Sequence, residues 1–198
     1  MTTIYTIGYG NRSMEDFIQL LKRYQIEYLI DVRSVPYSRQ HPDFAKNQLE
    51  QHLTKAGLRY VFMGEALGGK PTDTSVYTSE GKVDYAQLKT RQFYLDGIER
   101  LRKAYQQNLS VAIMCSELRP EMCHRSKLIG ETLNEQQLSV THIDELGEPK
   151  THQTLIDSLT KKPEGQLSFF DELEGVELHL KSRKRHLAAP SEEDEDEP

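Results

Sequence analysis

The sequence predicts an α/β fold: a single domain with a mostly parallel, Rossmann-like open sheet flanked by helices. Two observations support this prediction. Short β-branched apolar segments alternate along the chain with segments whose apolar residues recur at helical spacing. In addition, a strand, a helix and a second strand follow one another within about thirty residues at the start of the chain, which makes a βαβ unit and so favours parallel strands.

The elements are predicted in chain order from their apolar patterns and end signals. The first strand, residues 3–7, ends at Gly8, and Ser13 then begins a helix with Asp16 three residues further on, as in a capping box. The other predicted strands are residues 27–32, 58–63, 109–114 and 138–143. The other predicted helices are residues 46–56, 84–107 with a break near Gly97, 121–137 and 151–160.

Composition and terminal signals narrow the class of protein. The chain has 198 residues, 36% of them hydrophobic, and a net charge of −6, which is typical of a soluble globular protein. No apolar run is long enough to span a bilayer, and residues 1–10 lack the basic and apolar regions of a signal peptide. With only two cysteines, we expect a cytoplasmic protein without a structural disulfide or a membrane partner.

Loss of hydrophobic periodicity divides the chain into three parts. Residues 1–162 are predicted to form the α/β domain, and residues 163–180 a short segment that carries a peptide motif. Residues 181–198, first basic and then acidic, are predicted to be a disordered tail.

Polar residues collect where the predicted strands end, which is the edge at which open α/β sheets bind ligands. The predicted substrate-binding residues are Arg12, Arg33, Ser38, Arg39, Gly68, Gly69 and Arg125. Guanidinium groups suit phosphate or carboxylate, so Arg33, Arg39 and Arg125 indicate an anion site. The alternative is that each arginine pairs with a nearby acid such as Asp31 or Glu117.

Both cysteines of the chain stand in one polar loop, at Cys115 and Cys123. Four interpretations remain open: buried small side chains, metal ligands together with His124 and His142, a nucleophile activated by neighbouring cations, or a redox pair. The Cys-x7-Cys-His spacing matches none of the usual zinc patterns, and Cys-x-x-Cys is absent. The predicted catalytic residues are Asp31, Glu117, Cys115, Cys123 and His124; the metal and the cofactor stay undetermined.

Four separated segments resemble the domain of unknown function 488 family of bacterial proteins. They are residues 6–17, 31–39, 67–69 and 115–125, in the family's order. Tyr9 stands where this family often has histidine. The resemblance implies a small α/β domain with a polar, arginine-rich site and an enzymatic role that has not been assigned.

The segment after the domain contains a second resemblance. Gln166, Leu167, Ser168, Phe169 and Phe170 are similar to the short motif by which bacterial DNA repair and replication proteins dock on the sliding clamp. The alternative is that the apolar side chains pack back on the domain.

Together these features predict a cytoplasmic enzyme that acts on a phosphate-bearing substrate, a nucleotide or a nucleic acid, in association with DNA repair. The alternatives are a cysteine-dependent transferase or redox protein, and a non-catalytic binding module associated with nucleic acid.

Overall fold

The computed structural model describes residues 2–160, so the predicted peptide-motif segment at 163–180 and the predicted tail at 181–198 lie outside the described residues. A six-stranded sheet has the order β3-β2-β4-β1-β5-β6. The strands are β1 (Ile4–Gly8), β2 (Tyr28–Asp31), β3 (Arg59–Phe62), β4 (Val111–Cys115), β5 (Val140–Ile143) and β6 (Pro149–Thr151). All pairings are parallel except β5 with β6. The predicted α/β fold with a mostly parallel sheet is confirmed; β6 was not predicted.

The described residues up to Leu159 form one compact unit. Its helices are α1 (Met14–Arg23), α2 (Lys46–Lys55), α3 (Gly64–Leu67), α4 (Tyr85–Leu88), α5 (Gln92–Gln106), α6 (Glu131–Glu135) and α7 (His152–Thr160), with a π-helical segment, Arg125–Gly130, before α6. Ser13 caps α1 as predicted, because its hydroxyl accepts a hydrogen bond from the N–H of Asp16. Among residues 2–160, no helix is long and apolar enough to cross a bilayer.

Helices cover both faces of the sheet and form two separate hydrophobic cores. Met114 of β4 belongs to the core that contains Phe17 of α1 and Leu53 of α2. Its neighbour Cys115 belongs to the opposite core, which also contains Ile98 of α5. Successive residues of a strand point to opposite faces, so β4 directs the Cys115 side chain to the α5 side of the sheet. Cys123 lies in that same core.

Two predicted helices differ from those observed. The break in the predicted helix at 84–107 falls between Leu88 and Gln92, not near Gly97. Gly97 lies inside α5, where a Cβ would be 2.8 Å from the side chain of Leu67, so the glycine permits close packing of α3 on α5. The predicted helix at 121–137 begins instead with a 3₁₀ turn, Pro120–Met122, and continues after Cys123 as the π-helical segment and α6.

Candidate functional site

The loop that follows β4 carries both cysteines and turns back onto the end of the strand. Cys115 is the last residue of β4, and Cys123 follows the 3₁₀ turn. The guanidinium of Arg125 is completely buried and donates hydrogen bonds to the backbone carbonyls of Glu117 and Leu118. These bonds hold the loop in one conformation, because without the guanidinium the two carbonyls would lose their donors.

The same loop packs directly against the end of β1. The N–H of Tyr9 donates to the carbonyl oxygen of Cys115 at 3.2 Å, and the N–H of Gly10 donates to that of Ser116 at 2.9 Å. A Cβ at Gly8 would lie 1.8 Å from the carbonyl oxygen of Glu117. Glycine at position 8 is therefore required for the loop to approach β1 this closely.

Four side chains with lone-pair donors meet at the end of β4: Cys115, Glu117, Cys123 and His124. Their donor atoms all lie within 4.8 Å of one another, and both cysteines are free thiols. Oε2 of Glu117 is 2.6 Å from Sγ of Cys115 and 3.2 Å from Sγ of Cys123. Nδ1 of His124 is 3.7 Å and 3.6 Å from the same two sulfur atoms. We call these four residues the thiol cluster.

His124 presents a defined ring nitrogen to the thiol cluster. Its Nε2 lies 3.2 Å from the carbonyl oxygen of Val32, just after β2, and so carries the hydrogen. In the neutral ring Nδ1 is then an acceptor, and it faces the sulfur atoms. Burial lowers the pKa of His124, but its hydrogen bond with Cys115 and the charges of Cys115 and Glu117 outweigh burial and raise it. A Cβ at Gly69 would lie 2.9 Å from Cγ of the ring.

The two thiols differ in how readily they lose a proton. The hydrogen bond from Cys123, helped by His124, lowers the pKa of Cys115 to about 5 against the opposing effect of burial. Burial raises the pKa of the Cys123 thiol. Burial also acts to raise the pKa of the Glu117 carboxyl group, but hydrogen bonds from both thiols bring it below its usual range. The two thiols therefore titrate as a pair, in which the hydrogen bonds of Cys123 and His124 stabilise the thiolate of Cys115.

A cleft of about 400 Å³ opens over the thiol cluster. Its cationic lining residues are Arg33, Lys70 and, when protonated, His124, while Glu117 supplies the carboxylate. The remaining lining residues are aromatic, apolar or small: Tyr9, Tyr37, Tyr85, Val35, Met122, Ser34, Cys115, Ser116 and Gly69. The cleft is therefore suited to a ligand with both an anionic group and an apolar part.

The outer rim of the cleft is apolar and exposed to solvent. Val35, Tyr37 and Met122 are 72%, 65% and 52% exposed. Deeper in the cleft, burial and the negative charges of the thiol cluster raise the pKa of Tyr85, which keeps its hydroxyl protonated near neutral pH. The rim thus offers contact area for a flat apolar group, and the interior offers charge and hydrogen bonds.

Arg33 is buried and held by a bidentate ion pair. Its Nε and Nη2 donate to Asp31 at 2.9 Å and 2.6 Å, and Nη2 also donates to the carbonyl oxygen of Phe44. The hydroxyl of Tyr60 donates to the same Asp31 carboxylate at 2.8 Å. Burial lowers the pKa of Arg33, but its hydrogen bonds and charge interaction with Asp31 raise it overall. Nη1 is buried and has no acceptor among the described residues.

One family model matches the chain: domain of unknown function DUF488, over residues 13–133. The match covers more than half of the sequence. The chain belongs to the DUF488 family. The matched region begins at the cap of α1 and ends in α6, so it contains the whole thiol cluster but not Gly8. No curated protein and no solved structure matches the chain.

The structure of this DUF488 protein brings most of the predicted catalytic residues together. Cys115, Glu117 and His124 line the cleft, as do the predicted binding residues Arg33 and Gly69. Cys123, the fourth member of the thiol cluster, is buried and does not line the cleft. Four of the five predicted catalytic residues thus lie in one cluster. The fifth, Asp31, does not line the cleft but forms an ion pair with Arg33, which does.

Other predicted binding residues of the DUF488 chain lie away from the cleft lining. Arg12 donates to the carbonyl oxygen of Asp144 and lines a different surface depression. The hydroxyl of Ser38 accepts from a backbone N–H within its own turn, and Arg39 is exposed. Gly68 is next to the cleft, where its Cβ would be 2.4 Å from the Ser34 hydroxyl. Arg125 was predicted to bind an anion, but its guanidinium donates to the carbonyls of Glu117 and Leu118 instead.

Eight residues that line the cleft were not among the predicted site residues: Tyr9, Ser34, Val35, Tyr37, Lys70, Tyr85, Ser116 and Met122. Ser34 follows the predicted Arg33 after β2, and Lys70 follows the predicted Gly69 after α3. A prediction extended by one residue along each loop would have included both. Tyr85 comes from the start of α4, which follows no strand directly. The rule that ligands bind where strands end therefore gives no signal for it.

Proposed function

We propose that this DUF488 protein is an enzyme that acts on a phosphate-bearing substrate, a nucleotide or a nucleic acid, with the thiol cluster as its reactive centre. The observation that supports this most directly is the buried Nη1 of Arg33, which has no acceptor among the described residues and belongs to a side chain that lines the cleft. An unsatisfied buried donor costs about 1–3 kcal/mol. A phosphate oxygen in the cleft would remove that cost.

Lys70 supports an anionic substrate independently. It lines the cleft, and no carboxylate of the described residues forms a salt bridge with it. Arginine supplies a rigid fork of donors and lysine a mobile point charge, a combination that suits the tetrahedral oxygens of phosphate.

The exposed rim favours a nucleotide over inorganic phosphate. Tyr37 offers an aromatic face at the cleft entrance, next to Val35 and Met122. Stacking of a base on an aromatic side chain contributes about 1–3 kcal/mol and tolerates any base. The rim would hold the base, and the cations in the cleft would hold the phosphate.

Each residue then has a distinct part in the proposed enzyme. Arg33 and Lys70 bind the phosphate, and Asp31 is a positioning residue because it fixes the guanidinium through two hydrogen bonds. Glu117 is the candidate acid–base group, since its carboxylate borders both the cleft and the thiols. Nδ1 of His124 faces Sγ of Cys115, the same atom that the Glu117 carboxylate contacts.

Calorimetric titration with ADP, GMP, inorganic phosphate and a short single-stranded oligonucleotide tests this proposal. Lys70→Ala should weaken binding about tenfold, which corresponds to about 1.4 kcal/mol. Lys103→Ala is the matched control, because it removes the same charge from an exposed position on α5. Tyr37→Ala should weaken binding of nucleotides more than binding of inorganic phosphate. If no nucleotide or oligonucleotide binds, or if Lys70→Ala binds like the wild type, the proposal is wrong.

A second candidate is a cysteine-dependent transferase or redox protein, in which Cys115 is the nucleophile. The observation in its favour is that Sγ of Cys115 lies at the cleft with Nδ1 of His124 3.7 Å away, as in a thiol–imidazole pair. Alkylation by iodoacetamide across a pH series, with Cys123→Ser to isolate the other thiol, measures its reactivity. A thiol that titrates near the free-cysteine pKa of about 8.5 excludes this candidate.

We further propose that the protein works in the cytoplasm, with DNA repair proteins, through residues 166–170, which lie outside the described residues. The support is the similarity of Gln166-Leu167-Ser168-Phe169-Phe170 to the sliding-clamp motif. A pull-down with purified clamp should retain the wild type and lose the Gln166→Ala/Phe170→Ala double variant. Equal retention of both would remove the clamp from the proposal and leave the proposed activity of the domain untouched.

A further inference from the structure

We propose that the thiol cluster binds one thiophilic divalent metal ion of the zinc class, with Cys115, Cys123 and His124 as ligands and Glu117 as an exchangeable fourth ligand. The inference concerns the same cluster as the proposed function but does not depend on that function, because metal binding is measured without any substrate.

The distances in the thiol cluster fit a tetrahedral site. Zinc binds sulfur at about 2.3 Å and imidazole nitrogen at about 2.0–2.1 Å, which places sulfur and nitrogen about 3.6 Å apart across a tetrahedral edge. Nδ1 of His124 is 3.7 Å from Sγ of Cys115 and 3.6 Å from Sγ of Cys123. Both nitrogen–sulfur pairs therefore already have the separation that a shared ion requires.

A shared cation also accounts for the carboxylate contact. Oε2 of Glu117 lies 2.6 Å from Sγ of Cys115, as short as a strong hydrogen bond between two oxygen atoms. A thiolate and a carboxylate repel at this distance unless a proton or a metal ion lies between them. With an ion bound, Oε2 would move outward by less than about 1 Å to reach a tetrahedral edge.

Groups around the thiol cluster support ligation. The imidazole of His124 uses Nε2–H to bind the carbonyl oxygen of Val32, which orients Nδ1 as metal-binding histidines are oriented. The N–H of Arg125 points at Sγ of Cys123 at 3.4 Å, as backbone donors do to metal-bound thiolates. Both neighbours come from the backbone, so the orientation does not depend on mobile side chains.

Ligand chemistry and access define the kind of ion. Two thiols and an imidazole select zinc-like ions over magnesium and calcium, which prefer oxygen. Cys123 is buried, whereas Glu117 keeps part of its surface exposed and lines the cleft. Release of the Glu117 carboxylate would open one coordination position toward the cleft, as in catalytic rather than structural zinc sites. An ion bound to Cys115 would also block its attack on a substrate, so this inference and the thiol-nucleophile candidate exclude each other.

Metal analysis of the full chain, purified without a histidine tag, tests the inference. After incubation with Zn²⁺ and gel filtration, elemental analysis should give about one zinc per chain. Replacement by Co²⁺ should give the near-ultraviolet sulfur-to-cobalt absorption and the intense visible bands of a tetrahedral thiolate site. Ca²⁺ or Mg²⁺ in place of Zn²⁺ should leave the metal content at background.

Variants connect the metal to the residues. Cys123→Ser should abolish stoichiometric zinc, and Glu117→Gln should weaken zinc binding about 10- to 100-fold. Ser116→Ala, which lies at the cleft but offers no ligand, should bind zinc like the wild type. The cobalt spectrum of the wild type gives a result even if Cys123→Ser fails to fold. Sub-stoichiometric zinc in the wild type, or a cobalt spectrum without sulfur absorption, would overturn the inference.

Discussion

Four polar side chains, of which only Glu131 is partly exposed, form a hydrogen-bonded chain, and we expect it to make the stability of the fold depend on pH. Oγ1 of Thr6 is 2.8 Å from Nδ1 of His142, Nε2 of His142 is 2.9 Å from Nδ1 of His152, and Nε2 of His152 is 2.9 Å from Oε2 of Glu131. When both imidazoles are neutral, every N–H and O–H along this chain meets an acceptor. Protonation of His142 would therefore add a buried charge without adding an acceptor.

Burial, with smaller effects of His152 and Arg125, lowers the pKa of His142 to about 3. In the unfolded chain its pKa is about 6.5. Because the folded pKa is the lower one, the unfolded state binds more protons below pH 6.5. The stability associated with a neutral His142 is thus complete above about pH 6.5 and is lost progressively as the pH falls toward 3. Between about pH 7.5 and pH 5 the loss amounts to about 2 kcal/mol.

Urea unfolding followed by circular dichroism at both pH values measures this loss. His142→Gln removes the titrating ring, so its free energy of unfolding should fall by about 2 kcal/mol less than that of the wild type over the same interval. His142→Gln is also less stable by about 1 kcal/mol at pH 7.5 through lost hydrogen bonds, so only the change with pH is compared. His52→Gln, at a half-buried histidine on α2 that lies outside this hydrogen-bonded chain, is the control and should follow the wild type. Equal pH-dependent losses in the wild type and His142→Gln would refute the reasoning.

Three substitutions test the parts that hold the site. Asp31→Asn should lower the free energy of unfolding by about 3 kcal/mol, because Arg33 stays buried without its counter-charge; a loss below about 1 kcal/mol in urea unfolding would contradict this. Arg125→Lys keeps the charge but not the fork that reaches both loop carbonyls, so we expect a loss of about 2 kcal/mol and a lower melting temperature. An unchanged melting temperature would show that these two hydrogen bonds do not stabilise the fold. Gly69→Ala places a methyl group 2.9 Å from the His124 ring and should weaken zinc binding about tenfold with an unchanged circular dichroism spectrum; wild-type affinity would show that the ring does not move.

The place of the site was predictable from the sequence because parallel strands end at one edge of a sheet. Arg33 follows β2 and Cys115 ends β4, and the two strands are neighbours. The residues of the predicted loop therefore meet those after β2, as expected from the strand pattern alone. The types of residue, two thiols with an imidazole and a carboxylate, also indicated reactive or metal-binding chemistry before any geometry was known.

The direction of a long side chain was not predictable in the same way. Arg125 was expected to bind an anion, and it does lie next to His124 of the thiol cluster. Whether a guanidinium points to solvent or to the interior depends on which carbonyls lack donors nearby, and those carbonyls belong to a loop whose path the sequence does not reveal. Arg125 is thus completely buried, although its side chain is charged.

Glycines were similarly ambiguous. Gly97 was expected to break a helix, since glycine lowers helix stability by about 1 kcal/mol. In the structure it lies inside α5, where Leu67 packs against it. A contact of this kind joins residues far apart in the chain, so local propensity does not report it. The same applies to Gly8, whose role is visible only from the position of the Glu117 carbonyl.

The order of the strands explains why a local loop depends on distant parts of the chain. β4 lies between β1 and β2, although it follows both by many residues. The paired positions Gly8 and Cys115 bring the loop against β1, and β2 on the other side brings Val32 to Nε2 of His124. The tautomer of that imidazole, and with it the identity of the nitrogen that faces the sulfur atoms, is therefore set by a carbonyl from another strand. Because the loop sequence can supply the donor atoms but not their orientation, its chemistry depends on the insertion of β4 between its two neighbours.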